Sequence, residues 1–130
     1  MTKRNELVLG SVAVILVLAA LALAFGQLGS PERQRAIRAD EGRIDDLRAI
    51  QMHIWLRHLQ LPATLADLQE PAQVNIRDPV TNAPYEYHPK SGTVYELCAT
   101  FTTASTRTSY WSHPQGRQCF ELDAAKPVPY

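Results

Sequence analysis

The chain has 130 residues, with 13 basic and 13 acidic side chains, so its formal charge at neutral pH is zero. A balanced chain of this kind offers no basic stripe for phosphates, and we do not expect DNA or RNA as a partner. Outside one long apolar run, about 100 residues remain, which is enough for one small domain and not for two.

That apolar run extends without interruption from Leu7 to Phe25, after a short N-terminal tail at residues 1–6. As a helix it spans roughly 28 Å, close to the hydrocarbon thickness of a bilayer. A cleaved signal peptide and a buried soluble helix are the alternatives. The nominal cleavage site Ala22-Leu23-Ala24 lies inside the run, which is longer than a signal core. We therefore expect an uncleaved transmembrane helix that contacts the lipid bilayer.

The orientation of this helix depends on two signals that disagree. More arginines follow the apolar run than basic residues precede it, which by the positive-inside rule places the C-terminal domain in the cytoplasm. Cys98 and Cys119 argue the opposite, because their arrangement in two apolar, strand-like stretches suggests one disulfide, and disulfides persist where thiols oxidise. We give the cysteines more weight and expect the domain outside the cytoplasmic membrane.

A break at residues 26–30 separates the apolar run from a second predicted helix. Ser30 and Pro31 have the pattern of an N-cap followed by proline at the first helical position. From Pro31 to near Gln60, apolar residues recur at steps of three, four or seven, as in an amphipathic helix with one buried stripe. The stripe consists of Ile37, Ile44, Leu47, Ile50, Ile54 and Leu61. Thr64 and Asp67 then form a capping-box-like pair in a short helix.

Turn formers at residues 78–84 lead into the predicted sheet, and Asn82 is the expected left-handed residue. The predicted strands are Tyr85–His88, Thr93–Phe101 and Gln118–Leu122, with a hairpin turn between the first two. Alternation places Tyr95 and its like-facing neighbours toward the helix and both cysteines on the opposite face.

The fold class is thus α+β: a transmembrane helix, then an amphipathic helix packed on a small antiparallel sheet of three or four strands. The folded domain is expected at residues 31–123 and a loose C-terminal tail at residues 124–130.

Three oxygen-bearing side chains at Asp78, Asn82 and Glu86 are weak calcium candidates. Their more frequent role is to make turns. Tyr110 and Trp111 follow a polar loop and, with His113, form a candidate partner surface, although covering the sheet edge is an equal alternative.

The chain shows no nucleophile elbow and no Cys-x-x-Cys pair. We expect neither an enzyme nor a cofactor. A small periplasmic enzyme or metal carrier that uses His113 and nearby carboxylates is a less favoured alternative.

The order of these segments resembles that of bacterial pilin-like proteins, the group of type IV pilins and type II secretion pseudopilins. The likeness rests on four motifs, which begin at Leu61 (Leu-Pro-x-Thr-Leu-x-x-Leu), Asp78 (Asp-Pro-x-Thr-x-x-Pro-Tyr-Glu-Tyr), Tyr95 (Tyr-Glu-Leu-Cys-Ala-Thr-Phe) and Trp111 (Trp-Ser-His-x-x-Gly-x-x-Cys-Phe). The resemblance implies a single-pass protein of the bacterial inner membrane with a helix-on-sheet head and a disulfide. One departure is that Met1–Leu7 lacks the glycine that prepilin peptidases cut, and Glu6 precedes the apolar run.

These observations predict a membrane-anchored, extracytoplasmic pilin-like module with a structural or protein-interaction role and an unidentified protein partner. An atypical pseudopilin or minor pilin of a secretion or pilus system is the alternative within the same family.

Overall fold

A computed structural model describes residues 3–27, 29–57, 60–68 and 73–127. The chain divides into two compact units, Met1–Gln34 and Arg35–Tyr130. The first unit contains α1 (Lys3–Gln27) and the start of α2 (Pro31–Leu56). None of the described side chains of α1 is buried.

α1 is longer than the predicted apolar run at both ends, because it includes polar residues before Leu7 and continues through Gly26 to Gln27. The break before α2 is therefore shorter than the predicted residues 26–30. A single glycine costs a helix only about 1 kcal/mol relative to alanine, and this one does not end α1. Gly29 has a left-handed φ of 70°. Ser30 caps α2 as predicted, since its Oγ accepts from the Arg33 amide at 3.2 Å.

In the second unit, α2 buries the predicted stripe. Ile44, Leu47, Ile50 and Ile54 are all buried, whereas Ile37 is only half-buried. The helix ends at Leu56 rather than near Gln60. The Arg57 amide bonds the Ile54 carbonyl three residues back at 3.1 Å, and this tightening ends the α-helical ladder.

The short second helix is a 3₁₀-helix, Leu65–Leu68, and not an α-helix. The predicted pairing is present, because the Thr64 amide donates to Asp67 Oδ2 at 2.9 Å. Leu65 and Leu68 are buried in the same core as the α2 stripe.

Three strands form one antiparallel sheet in the order β1 (Glu86–Pro89), β2 (Val94–Phe101) and β3 (Gly116–Asp123). No fourth strand is present in the described residues. As predicted, one face of β2 packs into the core, together with two side chains of β3. These residues are Tyr95, Leu97, Ala99, Phe101, Phe120 and Leu122.

The other face of the sheet carries the predicted disulfide between Cys98 and Cys119, which stand directly opposite each other in the register of β2 and β3. Cys98 is buried and Cys119 is half-buried, and both lie beside the main core cluster rather than in it. The predicted loose tail begins too early, because Ala124 is buried and its amide donates to the Thr93 carbonyl at 2.9 Å. Residues 128–130 of that predicted tail lie outside the described part of the chain.

Candidate functional site

A buried ionic cluster joins α2 to two loops of the second unit, Arg35–Tyr130, which we call the head. Arg43 donates through Nε to Asp78 Oδ2 at 2.5 Å and through Nη1 to Asp40 Oδ1 at 2.5 Å. The two aspartates and the arginine are each less than a tenth exposed. Asp40 also accepts the backbone amides of Thr102 and Thr103, at 2.9 and 2.7 Å, where the chain leaves β2.

These contacts hold both carboxylates in the charged form. Burial alone raises the pKa of Asp78, but hydrogen bonds from Arg43 and from the Thr81 and Val80 amides outweigh it and lower the pKa to about 2. Burial likewise opposes ionisation of Asp40, yet its bonds to Thr102 and Thr103 keep its pKa below the usual value. The cluster is therefore an ion-paired clamp, with no free proton acceptor of raised pKa.

The clamp continues into the turn before the sheet. Asp78 Oδ1 accepts the amides of Val80 and Thr81 at 2.8 and 2.9 Å, and the Asn82 amide donates to the Asp78 carbonyl at 2.9 Å. Asn82 has φ 57°, which confirms the predicted left-handed residue. Small polar residues such as asparagine tolerate this conformation best after glycine.

The weak calcium prediction for Asp78, Asn82 and Glu86 does not fit this geometry. Asp78 is occupied by Arg43 beneath α2, whereas Glu86 lies on the disulfide face and accepts Arg117 Nη2 at 2.6 Å. Asp78 is buried, whereas Glu86 is exposed. Because the two acids are held by different arginines, Arg43 on α2 and Arg117 on β3, they do not form one oxygen-rich site.

The disulfide face of the sheet is polar and charged. Lys90 Nζ bonds Glu96 at 2.7 Å and Glu121 at 3.1 Å, so a hairpin residue links two strands. Next to this group, His88 Nε2 lies 3.4 Å from Glu86 Oε2. The hydrogen bond from Arg117 is the main cause that lowers the pKa of Glu86 to about 2. The face combines a histidine, several carboxylates and the disulfide.

The aromatic partner surface is not formed as predicted. Trp111 and His113 are only 3% and 8% exposed, because Trp111 packs on Phe120 and the His113 ring stacks on Phe101 with ring centres 3.7 Å apart. Tyr110 remains 43% exposed. Trp111 and His113 therefore cover the sheet, as the alternative prediction had it. Of the three residues of the predicted surface, only Tyr110 is exposed to a partner.

His113 does not activate a neighbouring hydroxyl. The hydroxyl of Ser105 accepts the His113 backbone amide at 3.0 Å, and the imidazole Nδ1 lies 3.2 Å from the Pro114 carbonyl. A nucleophile needs the ring nitrogen of its base within hydrogen-bond reach. The closest described contacts of Ser105 and His113 therefore do not form such a pair.

Sequence reasoning missed the ionic clamp. Asp40 and Arg43 stand three residues apart on α2, a spacing that places two side chains on one helix face. That spacing was a usable signal, but charged residues in an amphipathic helix are usually solvent-exposed. Their burial is compensated by groups that are distant in the sequence, namely Asp78, 35 residues after Arg43, and the amides of Thr102 and Thr103.

Comparisons of the chain with models of protein families, with curated proteins and with solved structures found no match.

Proposed function

We propose that this chain is a membrane-anchored, non-enzymatic pilin-like module that displays its head outside the bacterial cytoplasmic membrane for a structural or protein-interaction role. The observation that carries the proposal is the pairing of an apolar, unburied helix with a disulfide-bonded head. By length and composition α1 is able to cross a membrane, a test that a secretion signal also passes. Leu7, Leu23 and Phe25 are each about 71% exposed or more.

A whole helix of apolar side chains exposed to this extent is unfavourable in water and favourable in lipid. The head has no need of α1 for a core, since α2 and the sheet bury one cluster between them. A disulfide persists where the environment is oxidising. Together these facts favour a lipid-embedded stem and a head on the outer side.

The test of orientation is labelling of cysteines in intact cells with a membrane-impermeant maleimide. We expect no labelling of the native chain before reduction. After addition of a reductant, together with a chelator that removes any metal bound to the freed thiols, we expect labelling without cell lysis. Thiols that react only after lysis, without reductant, would place the head in the cytoplasm and overturn the proposal.

A matched variant separates orientation from the disulfide. In a chain carrying Cys98→Ser and Cys119→Ser, Ser91→Cys adds one thiol at an exposed position in the turn between β1 and β2. We expect this thiol to react in intact cells without any reductant. The mass of the protein in the membrane fraction tests the anchor, because cleavage of a signal peptide after Ala24 would remove residues 1–24.

An atypical pseudopilin or minor pilin is the second candidate. The order of α1, α2 and an antiparallel sheet with a C-terminal disulfide supports it, whereas the N-terminal segment lacks the prepilin glycine. Co-expression with a prepilin peptidase distinguishes the two. We expect an unchanged mass, and a shortened chain would favour the pseudopilin, as would neighbouring genes for a secretion ATPase and platform protein.

A further inference from the structure

Three side chains that are able to ligate a metal meet on the disulfide face of the sheet, and the second cysteine of the disulfide lies next to them. The register of the sheet aligns Glu86 with Cys98 and Cys98 with Cys119 across the three strands. A ring nitrogen of His88, a carboxylate oxygen of Glu86 and the sulfur of Cys98 lie within 4.8 Å of one another. Cys119 Sγ is not one of these three atoms, but it is bonded to Cys98 Sγ and so lies beside them.

In the disulfide form this group is a poor metal site, because metal ions bind the thiolate and not the disulfide. A dithiol reductant changes this. The two sulfurs of the reductant form a disulfide, two electrons and two protons pass to the protein, and the Cys98–Cys119 bond becomes two thiols. Each thiol then loses its proton when it ligates a cation.

We propose that the reduced head binds Zn²⁺ or a similar thiophilic divalent cation through Cys98, Cys119, His88 and Glu86. Two sulfurs, one imidazole nitrogen and one carboxylate oxygen form a donor set that suits tetrahedral zinc. The disulfide and the metal exclude each other, since both use the same two sulfurs. In either state the two sulfurs link β2 to β3.

The dimensions of the group suit such a site. Zinc bonds of about 2.0 to 2.3 Å at tetrahedral angles place neighbouring ligand atoms roughly 3.3 to 3.8 Å apart. The three ligand atoms within 4.8 Å therefore need to approach by only about 1 Å. Cys98 is buried and fixed by the sheet, whereas Glu86 and His88 are exposed and Cys119 is half-buried, so these three side chains have room to rotate toward it.

Arg117 suits the charge of the site. Two thiolates and one carboxylate around Zn²⁺ leave a net charge of −1, which a guanidinium balances. Arg117 donates to both oxygens of Glu86, from Nε to Oε1 at 3.0 Å and from Nη2 to Oε2 at 2.6 Å, and its Nη2 lies 3.5 Å from Cys98 Sγ. A bound cation therefore takes one Glu86 oxygen while Arg117 keeps the other. Groups that hydrogen-bond the ligands from outside orient them and strengthen binding. We assign Arg117 this supporting position.

The test uses the full-length chain in detergent, reduced with dithiothreitol and desalted without oxygen. Titration with Co²⁺ and then Zn²⁺ should give one equivalent bound, with the absorption of thiolate-ligated tetrahedral cobalt. The oxidised chain should bind none. His88→Gln should weaken zinc binding at least tenfold, and His53→Gln, on α2, should leave it unchanged.

Circular dichroism of the reduced chain, with and without zinc, covers the case in which reduction unfolds the head. Refolding on addition of zinc supports the proposal, because metal binding then supplies folding energy. The proposal is overturned if the reduced chain takes up no metal or stays unfolded with zinc. It is also overturned if His88→Gln and Glu86→Gln both bind like the native chain, since two thiolates alone then suffice. None of these results depends on which side of the membrane the head occupies.

Discussion

Replacing Arg43 by methionine tests the ionic clamp. Methionine keeps an unbranched apolar stem of similar length, so the change removes mainly the charge and its hydrogen bonds. Asp40 and Asp78, which are 3% and 8% exposed, would then share a buried region without their cation. Two like charges so placed repel each other and are poorly solvated.

Breaking a buried pair by removing one partner costs about 3 to 5 kcal/mol. Asp40 keeps its bonds from the Thr102 and Thr103 amides, and Asp78 keeps those from Val80 and Thr81, which favours the lower half of that range. We therefore expect Arg43→Met to lower the free energy of unfolding by about 3 kcal/mol.

Urea unfolding of the full-length chain in mild detergent, followed by tryptophan fluorescence, measures this loss. Arg38→Met is the matched control, because Arg38 is exposed on the same helix, and its effect should stay within about 0.5 kcal/mol. A second variant combines Arg43→Met with Asp40→Asn and Asp78→Asn, and it should recover part of the loss. If Arg43→Met costs no more than Arg38→Met, the cluster contributes nothing to stability and the reasoning is refuted.

Four further outcomes are expected from the same unfolding assay. Replacing both Cys98 and Cys119 by serine should lower the free energy of unfolding by about 3 kcal/mol, because the bridge closes a loop of 21 residues. Tyr95→Phe should raise stability by about 1 kcal/mol, since the buried Tyr95 hydroxyl has no hydrogen-bond partner in the described residues. Asn82→Val should cost about 1 to 2 kcal/mol, and Asn82→Gly should be tolerated, because φ is 57°. The pKa of Asp78 is lowered to about 2, so its ionised carboxylate contributes fully to the free energy of unfolding above about pH 4, and this contribution is lost as the pH falls toward 2. Asp78→Asn should flatten that part of the plot of stability against pH.

Periodicity was sufficient to predict the elements of the head. A 3.6-residue repeat locates the α2 stripe, and alternation assigns Tyr95 and Leu97 to the core face and Cys98 to the other. The same alternation places both cysteines on one face, and the register of the structure then pairs them directly. These are local rules, and each needs only neighbouring residues.

Pairings between distant residues could not be predicted in this way. The three-residue spacing of Asp40 and Arg43 recurs in the exposed pair Asp45 and Arg48, so the spacing alone does not identify the buried arginine. The burial of Arg43 depends on Asp78 from a loop 35 residues away.

The same applies to Trp111. Its position after a polar loop fits both an exposed and a packed side chain, and only its contact with the distant Phe120 decides between them. The C-terminal end of α2 was predicted wrongly for a related reason. The helix ends at Leu56 through a backbone hydrogen bond, from the Arg57 amide to the Ile54 carbonyl, that no side chain in the sequence indicates.

The head is held together by two links that lie outside its hydrophobic core. The disulfide joins β2 to β3 on the outer face of the sheet, and the Arg43 clamp joins α2 to the loops at Asp78 and Thr102. A core of this size contributes only a few kcal/mol of net stability, so each link supplies a large share. The links also respond to different conditions, because reduction opens only the covalent one and acid protonates only the ionic one. Reduction should therefore free the two sulfurs while α2 stays clamped to its loops and the register of the strands is kept. The side chains of the four proposed ligands on the disulfide face would then be free to turn toward a cation.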